Sequence, residues 1–181
     1  MQELSLNVLD IAQNSIRANA SLVTIEVSED TKAHRLSIVV EDDGCGMTKE
    51  QVTNVMDPFF TTRTTRKVGL GVPFFKMSAE STGGSFSIES EVGKGTKTSA
   101  TYCTDHIDML PLGDINATIV SLISVNPHME FLYKRTRDGK SFVLDTREIR
   151  EVLEGVPINS PDVLVFLKEY LNENDSEINV N

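Results

Sequence analysis

Val23, Ile25 and Val27 alternate with Thr24, Glu26 and Ser28, and after a polar turn Leu36, Ile38 and Val40 repeat the pattern. Strands patterned this way bury one face and leave the other to water, so something must cover the apolar side. The preceding residues supply the cover. Leu4, Val8, Leu9, Ile11, Ala12 and Ile16 recur at helical spacing, which predicts an amphipathic helix from residue 3 to about 19. Residues 48–55 read as a short helix, with Thr48 as N-cap and Gln51 completing a capping box. Val72 to Thr82 reads as a helix stopped by Gly83 and Gly84, and two more strands follow, around Phe86 and Ile88 and from Thr96 to Tyr102. This order predicts an α+β, two-layer domain with helices on one face of a sheet.

Residues 105–113, with Pro111 and Gly113, read as a linker closing a first domain of residues 1–104. Beyond it, residues 114–172 read as a small α/β appendage of helix, hairpin, helix and helix. The Asp138-Gly139 turn makes the hairpin, Asp145 to Glu148 reads as a capping box, and Ser160-Pro161 opens the last helix. Polar residues 173–181 are expected to be disordered.

A net charge of −10 argues against a nucleic-acid surface and means that an anionic ligand needs local bases or a metal ion. Cys45 and Cys103 form no CxxC pair, which fits a reducing compartment. The N-terminus lacks the order of a signal peptide and no apolar run reaches membrane length, so the expected location is cytoplasmic, with no membrane partner.

Four stretches carry chemistry. On the first helix Asp10 and Asn14 are one turn apart, with Glu3 and Asn7 expected on the same polar side. A solvated face is the simple reading; the functional one is Asn14 as an oxygen ligand for magnesium and Asp10 as a group that orients or deprotonates water. The run VVEDDGCGM ends a strand on Asp42, a possible acceptor for an exocyclic amine, followed by Gly44 and Gly46, which permit close approach to a flat ligand. An acidic β-turn is the competing reading. In DPFFTTRTTRKVGLGV, Gly69 and Gly71 precede a helix N-terminus whose free amides favour phosphate. Arg63, Arg66 and Lys67 concentrate positive charge beside it, and Phe59 and Phe60 are expected to pin the loop to the core. Finally, the GKGT turn places Thr96 at a strand start, where its hydroxyl can support Asp42 through water.

In order, these stretches resemble the motifs of the GHKL superfamily of ATP-binding domains, which includes gyrase, heat-shock chaperones, sensor histidine kinases and MutL. The resemblance spans residues 3 to about 103: DIAQNSIRANA matches the N box, DDGCGM the first glycine box, DPFFTTR the phenylalanine box, GLGV the second glycine box and GKGT the last. DPFFTTR and GKGT are most similar to histidine-kinase catalytic domains, while QNSIRANA leans towards MutL. The resemblance implies a mixed sheet, ATP and Mg2+ as ligands, Asn14 on the metal and Asp42 on the adenine amine. It also implies that Gly44, Gly46, Gly69, Leu70 and Gly71 shape the pocket and its lid. Arg63, Lys67 and Thr96 complete the expected nucleotide contacts. Lys67 and Val68 stand where many kinases have glycine and threonine, and Asp10 stands where hydrolytic members carry the longer glutamate.

The N box begins within ten residues of the start, so the helical hairpin that bears the phosphoacceptor histidine in sensor kinases is expected to be absent, and His34, His106 and His128 are expected on no amphipathic helical pair. Three functions are then open: a kinase-type module acting on a separate protein, a slow ATPase or nucleotide switch, and a non-catalytic binding module. The first is favoured: an ATP-binding regulatory protein that passes the γ-phosphate to a protein partner.

Overall fold

A computed structural model describes residues 3–60 and 69–180. Helix α1 (Leu4–Arg17) is followed by β1 (Leu22–Asp30) and β2 (Arg35–Asp42), then by helices α2 (Lys49–Met56) and α3 (Gly71–Glu80). Strands β3 (Ser85–Glu91) and β4 (Gly95–Cys103) complete the part carrying the motifs. Helix α4 (Ile115–Val125), strands β5 (Glu130–Arg137) and β6 (Lys140–Asp145), and helices α5 (Thr146–Leu153) and α6 (Pro161–Asn179) follow.

All six strands form one mixed sheet in the order β3-β4-β2-β1-β5-β6. Pairing is antiparallel except between β1 and β5, which run parallel with Val23 opposite Phe131 and Ile25 opposite Tyr133. The alternation read from the sequence sets the inner face: Val23, Ile25, Val27, Leu36, Ile38 and Val40 are buried, joined by Ala100, Tyr102, Phe131, Tyr133, Phe142 and Leu144. Leu4, Val8, Ile11 and Ala12 of α1, Phe75 of α3 and Ile119 and Leu122 of α4 close over them. This is the two-layer α+β arrangement expected.

Local signals formed as read at α2, where Thr48 and Gln51 make a reciprocal capping box, and at Asp138-Gly139, where both residues have positive φ and turn the β5–β6 hairpin. Others differ. The residues expected to form an appendage instead extend the first sheet, because β1 offers an apolar, otherwise unpaired edge to β5. The expected disordered tail continues α6 to Asn179: Ile178 is buried, Arg137 donates to the Asn179 side chain, and Arg135, only 3% exposed, reaches Asp175 at 3.6 Å and Glu29 at 3.0 Å. Asp145 caps α5 by accepting from the Arg147 amide, with its remaining capacity taken by the Arg147 guanidinium, so the Glu148 capping box does not form. Ser160 opens α6 without a side-chain cap.

Asn7 also departs from the polar face expected of α1. It is 1% exposed, under α3, and donates to the Ser78 hydroxyl, which itself meets the Tyr102 hydroxyl. Phe59 and Phe60 are exposed rather than anchored: Asp57 accepts from the Phe59 amide in a tight turn after α2, a helix that buries none of its own residues. Among the described residues, no helix is long and apolar enough to cross a membrane.

Candidate functional site

Where α1, the end of β2 and the start of β4 meet, they enclose a cavity of about 300 Å³ lined by Ile11, Asn14, Ser15, Asp42, Gly46, Gly69, Thr96 and Thr98, among others. Five of the residues singled out from the sequence therefore face one space: Asn14, Asp42, Gly46, Gly69 and Thr96. Strand pairing explains part of this, since Asp42 lies directly opposite Thr96.

Asp42 is fixed from two sides. The Ser15 hydroxyl donates to its Oδ2 at 2.5 Å and the Gly44 amide donates to its Oδ1 at 2.9 Å. Its neighbour Asp43 does different work. Burial pushes the Asp43 carboxyl up, but hydrogen bonds from the amides of Leu22 and Ser21 and from the Ser21 hydroxyl outweigh it and hold the group below its ordinary range. The DDG run thus places one carboxylate in the cavity and commits the other to anchoring the start of β1.

The glycines serve the protein's own packing. Gly46 has φ +66°, and a β-carbon there would sit 2.0 Å from the Glu91 carbonyl oxygen. At Gly71 a β-carbon would meet that of Asp10 at 2.8 Å, so this glycine lets α3 close on α1. Gly44 is buried against Ala18. Close approach is needed, as read, but its partners are Ala18, Glu91 and Asp10.

Asn14 is partly exposed and its Oδ1 takes only a long bond, 3.4 Å, from the Arg17 guanidinium, which also lines the cavity. Asp10 sits one turn earlier, outside the lining; burial raises its pKa, and the positive charge of Arg17 partly offsets that. Leu70 is the N-cap of α3 and offers no side-chain acceptor, so the first amides of that helix are not capped by a side chain. Thr96 is engaged by the Ser90 hydroxyl at 2.8 Å; the hydroxyl that supports Asp42 is that of Ser15. Arg63, Arg66 and Lys67 lie outside the described residues. Among the described residues no group of three or more His, Cys, Asp or Glu side chains forms a metal cage.

Ser15, Arg17 and Thr98 were not singled out from the sequence. A signal existed for Ser15, which falls four residues after Ile11, inside the apolar stripe of α1. A buried hydroxyl in such a stripe needs a partner, and Asp42 is that partner.

Residues 2–105 match the family model described as histidine kinase-, DNA gyrase B-, and HSP90-like ATPase. Sporulation kinase C of Bacillus subtilis (strain 168) is 32% identical over 88 residues, which are 49% of this chain and 20% of that protein. Sensor protein SrrB of Staphylococcus aureus (strain NCTC 8325 / PS 47) is 31% identical over 101 residues, covering 53% of this chain and 17% of that one. The chain thus spans about a fifth or less of the length of these curated relatives. Among solved structures, the N-terminal domain of a DNA repair protein shares the fold with a TM-score of 0.55 at 15% identity, over 99% of this chain and 57% of that one. With the family model spanning more than half of its length, this chain belongs to the histidine kinase-, DNA gyrase B-, and HSP90-like ATPases.

Proposed function

We propose that this protein binds ATP in the α1–β2–β4 cavity and passes the γ-phosphate to a protein partner. The observation that carries the binding half is Asp42, an acceptor held at the cavity wall by Ser15 and Gly44 with room in front of it. A carboxylate so placed accepts from the exocyclic amine of adenine and disfavours guanine, which presents a carbonyl at the corresponding position. Arg17 and the uncapped start of α3 supply positive potential where the phosphates would run, and Arg63 and Lys67 add the bases that a chain of charge −10 needs.

Magnesium fits the donors present. Asn14 offers a hard, nearly unengaged oxygen to the cavity, and magnesium is ordinarily held by one or two protein oxygens together with phosphates and water rather than by a full protein cage. When bound, the ion neutralises charge on the phosphates.

Asp10 is the candidate base. Partial burial makes it a stronger base than an exposed aspartate, and it lies one turn from Asn14. Similarity to sporulation kinase C, matched over 20% of its length, supports the choice of transfer. The test is incubation with γ-labelled ATP and cell extract. Label on another protein supports transfer. Label only in free phosphate establishes the alternative, a slow ATPase or nucleotide-dependent switch, and retention of all label in ATP refutes catalysis.

A further inference from the structure

At the edge of the sheet farthest from the cavity, α5, β6 and α6 frame a groove of about 260 Å³ lined by Val143, Ile149, Val152, Leu153, Phe166 and Tyr170. Its apolar groups are open to solvent: Val152 is 82% exposed, Phe166 55% and Val143 44%. Exposed apolar side chains gathered in one concavity mark a surface that something covers. The charge around it identifies what. Asp145 and Glu148 line the groove and no base does. Asp162, Glu169 and Glu173 share the helix face of Phe166 and Tyr170, whereas Lys168 points to the opposite side of α6. Arg147, adjacent in sequence to Glu148, is bound to Asp145 through two nitrogens. A β-strand is not the natural occupant, because the Tyr170 hydroxyl already occupies the outward carbonyl of Val143 at 2.9 Å.

We infer that this groove docks a basic amphipathic helix of a partner protein, with aliphatic residues on Phe166 and Val152 and lysine or arginine against Glu148 and Glu169. Two helices flanking a shallow apolar trough with an acidic rim form the usual seat for such a helix. The site is separate from the nucleotide cavity, and the inference does not depend on the fate of the γ-phosphate.

The test titrates the full chain against labelled 18-residue peptides with leucine on one helical face and either lysine or glutamate on the other, read by fluorescence anisotropy. The leucine-lysine peptide should bind, and Phe166→Ala or Val152→Ala should weaken it by at least about tenfold. Both positions are exposed, so the fold should hold; the surface double change E148K/E169K provides an independent arm and should transfer preference to the leucine-glutamate peptide. As a control, E41K/E89K alters the acidic outer face of the sheet and should leave binding within about twofold. No binding, equal loss in the control pair, or indifference to Phe166→Ala would overturn the proposal. So would concentration-dependent dimerisation in sedimentation that Phe166→Glu abolishes, which would assign the groove to a second copy of this chain.

Discussion

Ser15 and Asp42, 27 residues apart, are joined by a 2.5 Å hydrogen bond between α1 and the last residue of β2. The bond fixes the carboxylate's orientation and leaves its remaining lone pairs for a ligand, so Ser15 serves as a positioning residue for Asp42. Ser15→Ala should reduce ATP affinity by about three- to tenfold, since the Gly44 amide still holds the other oxygen. Asp42→Asn should cost more, about 1.5–3 kcal/mol or ten- to a hundredfold, because it sets an amide donor against the adenine amine. Calorimetry that ranks the two variants in the reverse order would refute this division of labour.

Asp10 makes two separable predictions. Asp10→Asn should leave ATP affinity near wild type and lower phosphate transfer or release by about 10²–10⁴-fold, the usual size of a positioned proton transfer. It should also stabilise the fold at neutral pH. An acid whose folded pKa is raised binds its proton more tightly when folded, so stability falls as pH rises through the window from the unfolded to the folded pKa. The variant lacks that loss. Melting curves should show its advantage at pH 7 and show it vanishing once the pH drops below the ordinary value of 3.8.

Two glycines separate backbone conformation from crowding. Gly46 has φ +66° and the Glu91 carbonyl in the path of a β-carbon; Gly93 has φ +82° and open space around it. Gly93→Ala should cost only the left-handed penalty of about 1–2 kcal/mol. Gly46→Ala should cost more, and should weaken ATP binding as well, since β2's end and the β3–β4 turn must move apart. Urea denaturation midpoints for the pair check the ordering.

Arg135 predicts how the C-terminal helix is held. It is buried at 3% exposure between Glu29 of β1 and Asp175 of α6. Removing either acid leaves the other and the Thr136 carbonyl, so Glu29→Ala and Asp175→Ala should each cost about 1–3 kcal/mol. The double change leaves the buried guanidinium no counter-charge, only the Thr136 carbonyl at 3.3 Å, and should reach about 3–5 kcal/mol. Arg135→Met should be milder than the double change, because it removes the charge together with its need for partners. Chemical denaturation of the four variants tests the pattern.

Much of this was legible locally. The strand faces, the Thr48–Gln51 box and the Asp138-Gly139 turn depend on neighbours in sequence, and so does the placement of Asp42 at a strand end before two glycines. What depended on distant partners was not. Asn7 reads as polar surface until α3 is laid over it, and Phe59 and Phe60 read as anchors although the turn at Asp57 directs them outward. The separate appendage was expected because no local pattern records that β5 lies beside β1. Residues 173–179 look disordered by composition, yet Ile178 and Asp175 each have a partner elsewhere in the fold that a local reading does not contain.

The parallel pairing of β1 with β5 also sets an order of events in folding. Strand β1 pairs on one side with residues close behind it and on the other with residues 130–137, more than a hundred positions later. Closing so long a loop is slow, because its entropy is lost before the contacts that repay it have formed. During synthesis β2 is available to β1 early, while the opposite edge stays open, apolar and able to pair with another chain until the hairpin emerges. A chain cut after residue 105 would retain every nucleotide motif and keep that edge permanently bare, making aggregation, rather than loss of any ligand contact, the first symptom of truncation.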